Sequence, residues 1–589
     1  MIILGINAYH GDSSACLVID GVLINAIEEE RIRRIKHWAG LPTESIKWCL
    51  QDAGLKLRDV DCIAVSRNPS AHIHKKILRV LKKTPTLNFL KNRLSNVSKI
   101  GDIKTAIADE LGIDKSDIKA KVENIEHHLA HIGSTFLVSP FSEAACLTVD
   151  GFGDFVSTMR GVGKGNSIDI IDWVEFPHSL GVFYTAMTQL IGFWNYGDEY
   201  KVMGLSAYGK PVYLDKMKKI VQLKDNGLFE LDTSFFKHAD EGVEMIWENG
   251  QPVFGSLFSG KMIGELGDPR KNGEEITKHY QDIASSTQAM YEEVFFHMLN
   301  DTYRKTKLNT IALAGGCIQN SLANGKIIDK TPFKNIYIPP AAYDAGTAIG
   351  AAMVVWNEKS KQLQKHLMDN PYLGPAFKRD EIENEIKKHE NELLHNKCSF
   401  KLINDEIALC KKTAELISQG KVVGWFQGKT EFGPRALGNR SILVDPRRKE
   451  MIDTLNARIK RREWFRPFAP SILEDKISDW FECSEPVPFM ERVYKIKDSK
   501  QSLIPAVCHI DGTGRLQTVS YKTNQKYYNL IKQFEQITGI PIILNTSFNE
   551  NEPIVNTPKE ALECFIRTKM DNLILGDFIL IKGGDLSER

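Results

Sequence analysis

The chain has 589 residues, of which 42% are hydrophobic and 26% are charged, and its 76 Lys and Arg residues face 75 Asp and Glu residues. This length exceeds what one hydrophobic core supports, so we expect two or more domains. The net charge of +1 provides no global field for a polyanion, which counts against a dedicated nucleic-acid binder.

The composition also argues against several classes of protein. The ten cysteines form no CxxC pair, so the sequence predicts neither a zinc knuckle nor a disulfide framework. The opening MIILGIN reads as a strand without a preceding basic region, unlike a secretory signal. No apolar run approaches the length of a membrane span. We therefore expect a cytoplasmic protein that does not act at a membrane.

The first predicted elements are two strands around Asp20-Gly21, a strong hairpin signal between apolar runs. A helix is expected from Pro42 through Leu50 towards Gly54. The Lys- and Arg-rich stretch from about residue 75 to 100 is interpreted as a helix with a solvated basic face.

Strands and helices then alternate through the rest of the first half. Helix-like EHHLAHIGSTFLVSP precedes the apolar strand AACLTVDGFGD, and a long helical pattern leads into the strand TIALAGGCIQN. A further strand, NIYIPP, precedes AAYDAGTAIGAAMVVW, which reads as a turn entering a helix of small residues. This recurrence of strand, glycine turn and helix predicts an α/β architecture.

The domain boundaries follow from composition. Residues 359–400 are polar and charged and are interpreted as a connector with some helix. A second α/β unit begins with the helix DEIALCKKTAELISQG and the strand KVVGWF. We therefore predict domains at 1–358 and 401–589, with no internal repeat visible in the sequence.

Three glycine-rich turns punctuate the first domain, at Asn7 to Ser14, Asp150 to Asp154 and Gly315 to Asn320. Glycines after a strand let backbone N–H groups approach phosphate oxygens, and a following helix N-terminus adds a favourable dipole. A tight turn needs glycine for steric reasons alone, so one such turn means little. Three in this order resemble the actin, sugar-kinase and Hsp70 nucleotide-binding superfamily.

A metal site is predicted in the same domain. His127 and His131 are four residues apart in a predicted helix and therefore share one face. With Asp150 and Asp344, both at turns, they make a candidate site for iron(II) or another divalent metal. The alternative is a helix whose HxxxH spacing is structural.

The second domain carries cations within apolar, Pro- and Gly-rich segments. Such cations are costly to bury without an anionic partner, and Arg forks match phosphate and carbamate oxygens. An anion pocket is therefore predicted, with internal Arg–carboxylate pairs as the alternative. Its candidate residues are Arg435, Arg440, Lys460, Arg462, Arg466, His509, Asp511, Arg515, Asn545, Ser547 and Asn549.

Nearly the whole chain resembles the NodU/CmcH family of O-carbamoyltransferases. The resemblance is carried by EEER, HHLAH, TVDGFGD, GDEYKVMGLSAYG and DAGTAIG, then by EFGPRALGNRSIL, FRPFAPSIL, DGTGRLQTV and LNTSFNENEPIV. It implies an actin-like first domain similar to the universal tRNA threonylcarbamoyl transferase. It also implies a second domain similar to the YrdC-type synthase that makes a carbamoyl-adenylate.

The family resemblance implies a two-step reaction. Carbamoyl phosphate and ATP, the latter with Mg²⁺, would react in the second domain, and an acceptor hydroxyl would then take the carbamoyl group in the first. The residues it assigns to adenylation are Arg435, Lys460, Arg466, Arg515, Asn545 and Ser547. Those it assigns to the metal are His127, His131, Asp150 and Asp344, and those it places at the nucleotide are Gly315, Gly316 and Asn320.

The base for the acceptor hydroxyl is left open between His10 and Asp12, because Gly11 separates two residues that are commonly adjacent in the family. We expect the acceptor to be a small natural product, without nucleic acid or membrane as partner, and the family implies a homodimer. The alternatives are a small-molecule kinase of the actin-like superfamily and a tRNA threonylcarbamoylation factor.

Overall fold

The computed structural model describes residues 1–73, 75, 102–241, 245–248, 250–360 and 366–583. The chain divides into two compact units, residues 1–368 and 369–589. Among the described residues, no helix combines the length and apolarity needed to cross a bilayer. The predicted basic helix near residues 75–100 falls almost entirely outside the described residues.

The first unit contains fourteen strands within the described part of the chain. They are β1 (Ile2–Asn7), β2 (Ser14–Ile19), β3 (Val22–Glu28), β4 (Cys62–Val65), β5 (Lys121–Asn124), β6 (Glu143–Gly153), β7 (Val156–Lys164), β8 (Ser167–Glu175), β9 (Val221–Leu223), β10 (Phe229–Leu231), β11 (Met245–Glu248), β12 (Gln251–Phe254), β13 (Thr310–Ala314) and β14 (Asn335–Tyr337). Its helices are Glu29–Arg33, Thr43–Asp52, Ile103–Leu111, His127–Phe136, Leu180–Leu190, Glu199–Leu205, Leu214–Ile220, His238–Glu241, Gly260–Leu266, Lys278–Thr306, Ser321–Gly325, Ile327–Lys330 and Thr347–Ser360.

One sheet topology occurs twice in this unit. The first sheet has the order β3-β2-β1-β4-β5, and the second has the order β8-β7-β6-β13-β14. In the first sheet, β1, β2 and β3 form an antiparallel meander, and β4 and β5 run parallel to β1. In the second sheet, β6, β7 and β8 form the meander, and β13 and β14 run parallel to β6. The predicted α/β fold of the actin, Hsp70 and sugar-kinase type is confirmed for this unit, with a structural repeat that the sequence does not display.

The helix that follows each sheet packs against its counterpart. The helix His127–Phe136 follows β5, and the small-residue helix Thr347–Ser360 follows β14. A Cβ atom on Gly350 would lie 1.7 Å from the Ala130 carbonyl oxygen, so only glycine allows the backbones to come this close. This close contact brings the N-terminal ends of both helices to one place, where the candidate metal ligands lie.

The second unit is built on one mixed sheet. Its strands are β15 (Cys398–Leu402), β16 (Val423–Phe426), β17 (Arg440–Val444), β18 (Ala469–Leu473), β19 (Arg492–Lys495), β20 (Thr513–Val519), β21 (Ile542–Ser547), β22 (Asn572–Leu575) and β23 (Phe578–Lys582). Their order is β15-β23-β22-β16-β17-β21-β18-β20-β19. The helices are Arg379–Lys388, Glu390–His395, Glu406–Ser418, Met451–Asp453, Ile477–Trp480, Asp498–Gln501, Gln525–Thr538 and Pro558–Arg567, with a π-helix at Thr454–Lys460. This mixed α/β sheet is consistent with the predicted YrdC-like class.

Two boundaries differ from the sequence prediction. The opening of the chain forms three strands instead of two, because the segment 8–13 between β1 and β2 is a turn with left-handed residues at Tyr9 and Asp12. The hairpin at Asp20-Gly21 forms as predicted, with both residues at positive φ. Residues 369–400, predicted as part of a connector, lie in the second unit, where β15 pairs with β23.

Candidate functional site

The four predicted metal ligands meet in one buried cluster. His127 and His131 lie on consecutive turns of one helix, Asp150 lies near the end of β6, and Asp344 opens the turn before the helix Thr347–Ser360. One ligand atom from each residue lies within 4.8 Å of the others, and all four side chains are buried. The predicted grouping is therefore present in the fold.

The spacing between these atoms fits an ion at their centre. The Nε2 atoms of His127 and His131 are 3.1 Å apart and lie 3.1 and 3.3 Å from Asp150 Oδ2. Asp344 Oδ1 lies 3.6 and 3.4 Å from the same nitrogens. Ligand atoms held about 2.1 Å from one ion are roughly 3.0–3.4 Å from each other. Asp344 Oδ1 is buried without a hydrogen-bond partner among the described residues, and an ion would satisfy it.

The neighbouring backbone fixes the ligands in place. The Gly316 amide donates to Asp150 Oδ1 at 2.9 Å, and the His127 amide donates to Asp154 Oδ2 at 3.1 Å. The His127 ring lies so close to Gly153 that a Cβ there would be 1.9 Å from its Cδ2 atom. Such supporting contacts orient metal ligands and are part of the site.

The charges favour two deprotonated carboxylates facing the imidazoles. Although burial alone would raise it, hydrogen bonds from His127 and His131 hold the pKa of Asp150 well below its usual value. Burial lowers the pKa of His131, but Asp150 and Asp344 raise it to about 9. His128 points elsewhere as predicted, with Nδ1 2.7 Å from Thr148 Oγ1 and Nε2 3.1 Å from the Val156 carbonyl.

The two candidate bases occupy different surroundings. His10 Nδ1 contacts Asp344 Oδ2, and its Nε2 lies 3.3 Å from the Phe152 carbonyl oxygen. Asp12 instead contacts His37, with Oδ1 2.7 Å from Nδ1. His37 was missed by sequence reasoning, since 25 residues separate it from Asp12 and no spacing rule connects them.

The third glycine turn supports the metal cluster as well as closing a strand. Gly315 has a φ of 103°, and a Cβ there would lie 2.2 Å from the Val149 carbonyl oxygen. Asn320 exchanges two hydrogen bonds with Gln288, at 2.9 and 3.1 Å, and caps the helix that starts at Ser321. The predicted nucleotide contacts of this turn stay a prediction.

In the second unit, three guanidinium groups lie within electrostatic range of a fourth, that of Arg515. Arg515 on β20 is influenced by Arg435, Arg462 and Arg466, and burial together with these positive charges lowers its pKa well below the usual value. Arg515 Nε is buried and makes no hydrogen bond to the described residues. Arg462 Nε also donates to Asn456 Oδ1 at 2.8 Å, and Arg466 pairs with Glu463 at 3.5 Å. The unsatisfied donor of Arg515 among these positive charges favours an anionic ligand.

Asn545 Oδ1 is a further buried polar atom of this region without a hydrogen-bond partner among the described residues, whereas the His509 ring interacts with the Phe468 backbone. Burial lowers the pKa of His509 to about 4, with Arg515 adding to the effect against Asp511. Asn545 Nδ2 donates to Gln517 Oε1 at 3.0 Å. Gln517 and Arg515 are two residues apart on β20 and share one face of the sheet.

The loop that carries Arg435 is held by a buried carboxylate. Glu431 Oε1 accepts hydrogen bonds from the amides of Leu437 and Asn439, both at 2.8 Å, and of Arg440 at 3.2 Å. The Arg440 side chain is itself buried and donates to backbone carbonyls, including that of Gln427 at 2.6 Å. Arg440 is thus bound within the protein, unlike the anion-pocket residue that the sequence predicted.

Lys460 also has its donors engaged. Its buried ammonium contacts the Ser547 carbonyl and hydroxyl and donates to the Asn549 carbonyl at 2.8 Å and to Asn549 Oδ1 at 2.7 Å. These contacts hold the turn after β21 in place. A direct contact of Lys460 or Ser547 with a nucleotide stays a prediction.

Comparisons with known proteins agree across both units. Residues 2–353 match the family model described as Carbamoyltransferase N-terminus, and residues 414–582 match Carbamoyltransferase C-terminus. An uncharacterized protein of Synechocystis sp. is 40% identical over 98% of this chain and 96% of its own length. Nodulation protein NolNO of Sinorhizobium fredii is 36% identical over 98% of this chain and 80% of its own length. Nodulation protein NolO of Bradyrhizobium diazoefficiens is 37% identical over 78% of this chain and 79% of its own.

Similarity to solved structures is low. HypF of T. kodakarensis gives a TM-score of 0.29 at 12% identity, covering 61% of this chain and 48% of HypF. The ROK hexokinase of Thermus thermophilus gives 0.27 at 13%, covering 60% and 98%. The two family matches and the identities over nearly the full length establish that the chain belongs to the NodU-type carbamoyltransferase family and is a carbamoyltransferase.

Proposed function

We propose that this carbamoyltransferase is ATP-dependent and works in two steps. Carbamoyl phosphate and ATP would form carbamoyl-adenylate in the second unit, with release of phosphate and pyrophosphate. An acceptor hydroxyl of a small natural product would then attack the carbamoyl carbon in the first unit, with release of AMP. The observation that carries this proposal is the presence of two chemically different sites in one chain.

The second unit supplies the groups that an adenylation step needs. Both substrates are polyanions, and the guanidiniums of Arg515 and its three neighbours would bind their phosphates. Arg515 Nε and Asn545 Oδ1 are buried polar atoms without hydrogen-bond partners among the described residues, and each would cost free energy unless a ligand satisfied it. A donor and an acceptor together match a carbamoyl group, which has both an oxygen and an amide nitrogen.

The first unit supplies the groups that a transfer step needs. Its two imidazoles and two carboxylates fit a divalent ion, iron(II) among them, and a bound ion would supply a Lewis acid that polarises the carbamoyl carbonyl. The carboxylates of Asp150 and Asp344 would balance the positive charge of the ion, and neutral imidazoles would complete its ligands. The loop of residues 8–13 borders the cluster through the contact of His10 with Asp344 and would receive the acceptor.

A substrate assay tests this proposal. The purified protein is incubated with ATP and carbamoyl phosphate in the absence of acceptor, and pyrophosphate, phosphate and ADP are measured. Pyrophosphate release that requires carbamoyl phosphate is expected. Formation of ADP with a phosphorylated small molecule would instead indicate a kinase and contradict the proposal.

A second assay addresses the acceptor. Small-molecule extracts are added with the two substrates, and products that have gained one carbamoyl group are sought by mass spectrometry, with carbamoyl phosphate labelled with carbon-13 in a parallel reaction. The label should appear in the product. A labelled tRNA fraction in place of a small molecule would favour a role in tRNA modification.

A further inference from the structure

A second cluster of titratable groups lies beside the proposed transfer site. It consists of Asp12, Glu30 and His37, and one side-chain atom of each lies within 4.8 Å of the others. Asp12 Oδ1 is 2.7 Å from His37 Nδ1, and the His37 amide donates to Glu30 Oε2 at 2.9 Å. The Asp12 side chain is 9% exposed and the His37 side chain 32%. The carboxylate is thus inside, and the imidazole lies between it and solvent.

Backbone contacts hold the two partners together. Asp12 and His37 both adopt left-handed backbone conformations, with φ of 57° and 55°. Such a conformation in a residue other than glycine is unfavourable and persists where the surroundings enforce it. Here the Ser13 amide donates to the Trp38 carbonyl at 2.8 Å, and Ser13 Oγ donates to the Gly40 carbonyl at 2.7 Å. The two loops therefore present the pair as one unit.

The free side of the imidazole is kept clear by a glycine. A Cβ on Gly197 would lie 2.6 Å from His37 Nε2, and Gly197 has a φ of 83°. The Tyr196 ring packs edge-on against the imidazole with 5.1 Å between centroids. A side chain at 197 would cover Nε2. This nitrogen makes no hydrogen bond to the described residues, whose hydrogen bonds with His37 go to its amide and to Nδ1, and the side chain is partly exposed, so Nε2 is available to a small molecule.

We propose that His37 is the general base of the transfer step and that Asp12 orients it; this inference rests on the function proposed above. A buried carboxylate at Nδ1 fixes the proton of the neutral ring there and leaves Nε2 to accept another. The acceptor oxygen forms a bond to the carbamoyl carbon, and its proton passes to His37 Nε2. The bond from that carbon to the phosphate oxygen breaks, and AMP leaves with the electron pair.

The alternative bases fit less well. Both ring nitrogens of His10 already face other groups, Asp344 and the Phe152 carbonyl. Asp12 has one carboxylate oxygen committed to His37. Of these three residues, His37 offers the most exposed side chain.

The surroundings of His37 also predict a pH dependence. Burial lowers its pKa, but Asp12 and Glu30 outweigh burial and the charge of Lys36 and raise it to about 9. The Tyr196 ring and the carboxyl of Glu199 also lie near it. Because only the neutral imidazole accepts a proton, carbamoyl transfer should accelerate as the pH rises towards 9.

The test separates this step from adenylate formation. In His37→Asn the side-chain amide can still donate to Asp12, but the nitrogen that would accept the proton is lost. With glycerol as the hydroxyl probe, carbamoyl-glycerol should form roughly 100- to 10,000-fold more slowly, without the rise towards pH 9. Pyrophosphate release and metal content should be unchanged. His395→Asn makes the same chemical change at an exposed helix position and should behave as wild type.

Three outcomes would overturn the inference. In the first, the His37→Asn enzyme carbamoylates glycerol as fast as wild type. In the second, its pyrophosphate release falls in step with transfer. The third comes from diethyl pyrocarbonate, which modifies accessible neutral imidazoles and needs no acceptor. Modification of His395 without modification of His37 at pH 9.5, above the pKa of about 9 for His37, would refute an open Nε2, and this measurement decides the question if glycerol is not carbamoylated. A wild-type protein that releases no pyrophosphate would refute the proposed function itself.

Discussion

Gly153→Ala should remove bound metal without changing any of its ligands. Glycine at 153 leaves room for the His127 ring, and the added Cβ would lie 1.9 Å from Cδ2 and 2.1 Å from Cγ of that ring. To restore ordinary contact the ring must move by about 1.5 Å, whereas metal–ligand distances tolerate only about 0.2 Å. His127 would therefore cease to be a ligand, and its neighbours would be disturbed.

The expected loss of metal affinity is at least as large as for removal of a supporting contact, about 10- to 100-fold. Affinity is measured by titration of the metal-free protein with iron(II) under anaerobic conditions and with zinc as a redox-inert probe. Gly151→Ala is the matched control, because a Cβ there meets no atom within 4 Å. Carbamoyl transfer should fall with metal affinity in Gly153→Ala, while pyrophosphate release in the second unit should persist.

If Gly153→Ala binds metal as tightly as Gly151→Ala in a folded protein, His127 is not held by this contact or is not a ligand. Circular dichroism and thermal unfolding establish that both variants are folded before the comparison is made.

Four further predictions concern the arginines of the second unit, the metal cluster and the contact between Gly350 and Ala130. Arg515→Ala should slow pyrophosphate release by roughly 30- to 1000-fold, since a charge-assisted contact in a desolvated pocket contributes about 2–4 kcal/mol; near-normal release would remove Arg515 from the pocket. His131→Ala should lose metal and carbamoyl transfer but still consume ATP and carbamoyl phosphate; retention of both metal and transfer would make HHLAH a structural helix. Because the pKa of His131 is raised to about 9 in the metal-free protein, protons compete with metal below that pH, and the apparent metal affinity should fall as the pH drops from 9 to 6. Gly350→Ala should lower the free energy of unfolding by about 1–3 kcal/mol or more, since its Cβ would meet the Ala130 carbonyl, whereas Gly264→Ala, with open space around it, should not destabilise the protein in the same thermal unfolding experiment.

The sequence predicted the metal cluster because its pattern is local. Two histidines four residues apart in a helix share a face whatever the rest of the fold does. Glycine turns mark strand ends, where Asp150 and Asp344 lie. The alternation of strands and helices likewise predicted the α/β class, which both units confirm. These signals depend on periodicity within one element.

The side-chain partners of several site residues depend on contacts between separate elements, and these partners could not be predicted in this way. His37 reaches Asp12 through two loops with left-handed residues, and neither loop shows a spacing that indicates a pair. Arg440 and Lys460 are residue types that often bind anions, but both donate hydrogen bonds to oxygen atoms of the second unit itself. A buried cation satisfied by carbonyls and one awaiting a ligand look alike in sequence.

The repeated sheet topology of the first unit makes the metal cluster a junction. His127 and His131 lie on the helix that follows the first sheet, whereas Asp150 and Asp344 belong to the second repeat. An ion bound by all four would therefore tie the two repeats together, and ion binding would be coupled to their association. At a free-ion concentration 100 times the Kd, this coupling would add about 2.7 kcal/mol to the stability of the native unit. Supply of the ion would then set the lifetime of the folded protein as well as its activity, so that starvation for the ion would lower the amount of enzyme through unfolding and proteolysis.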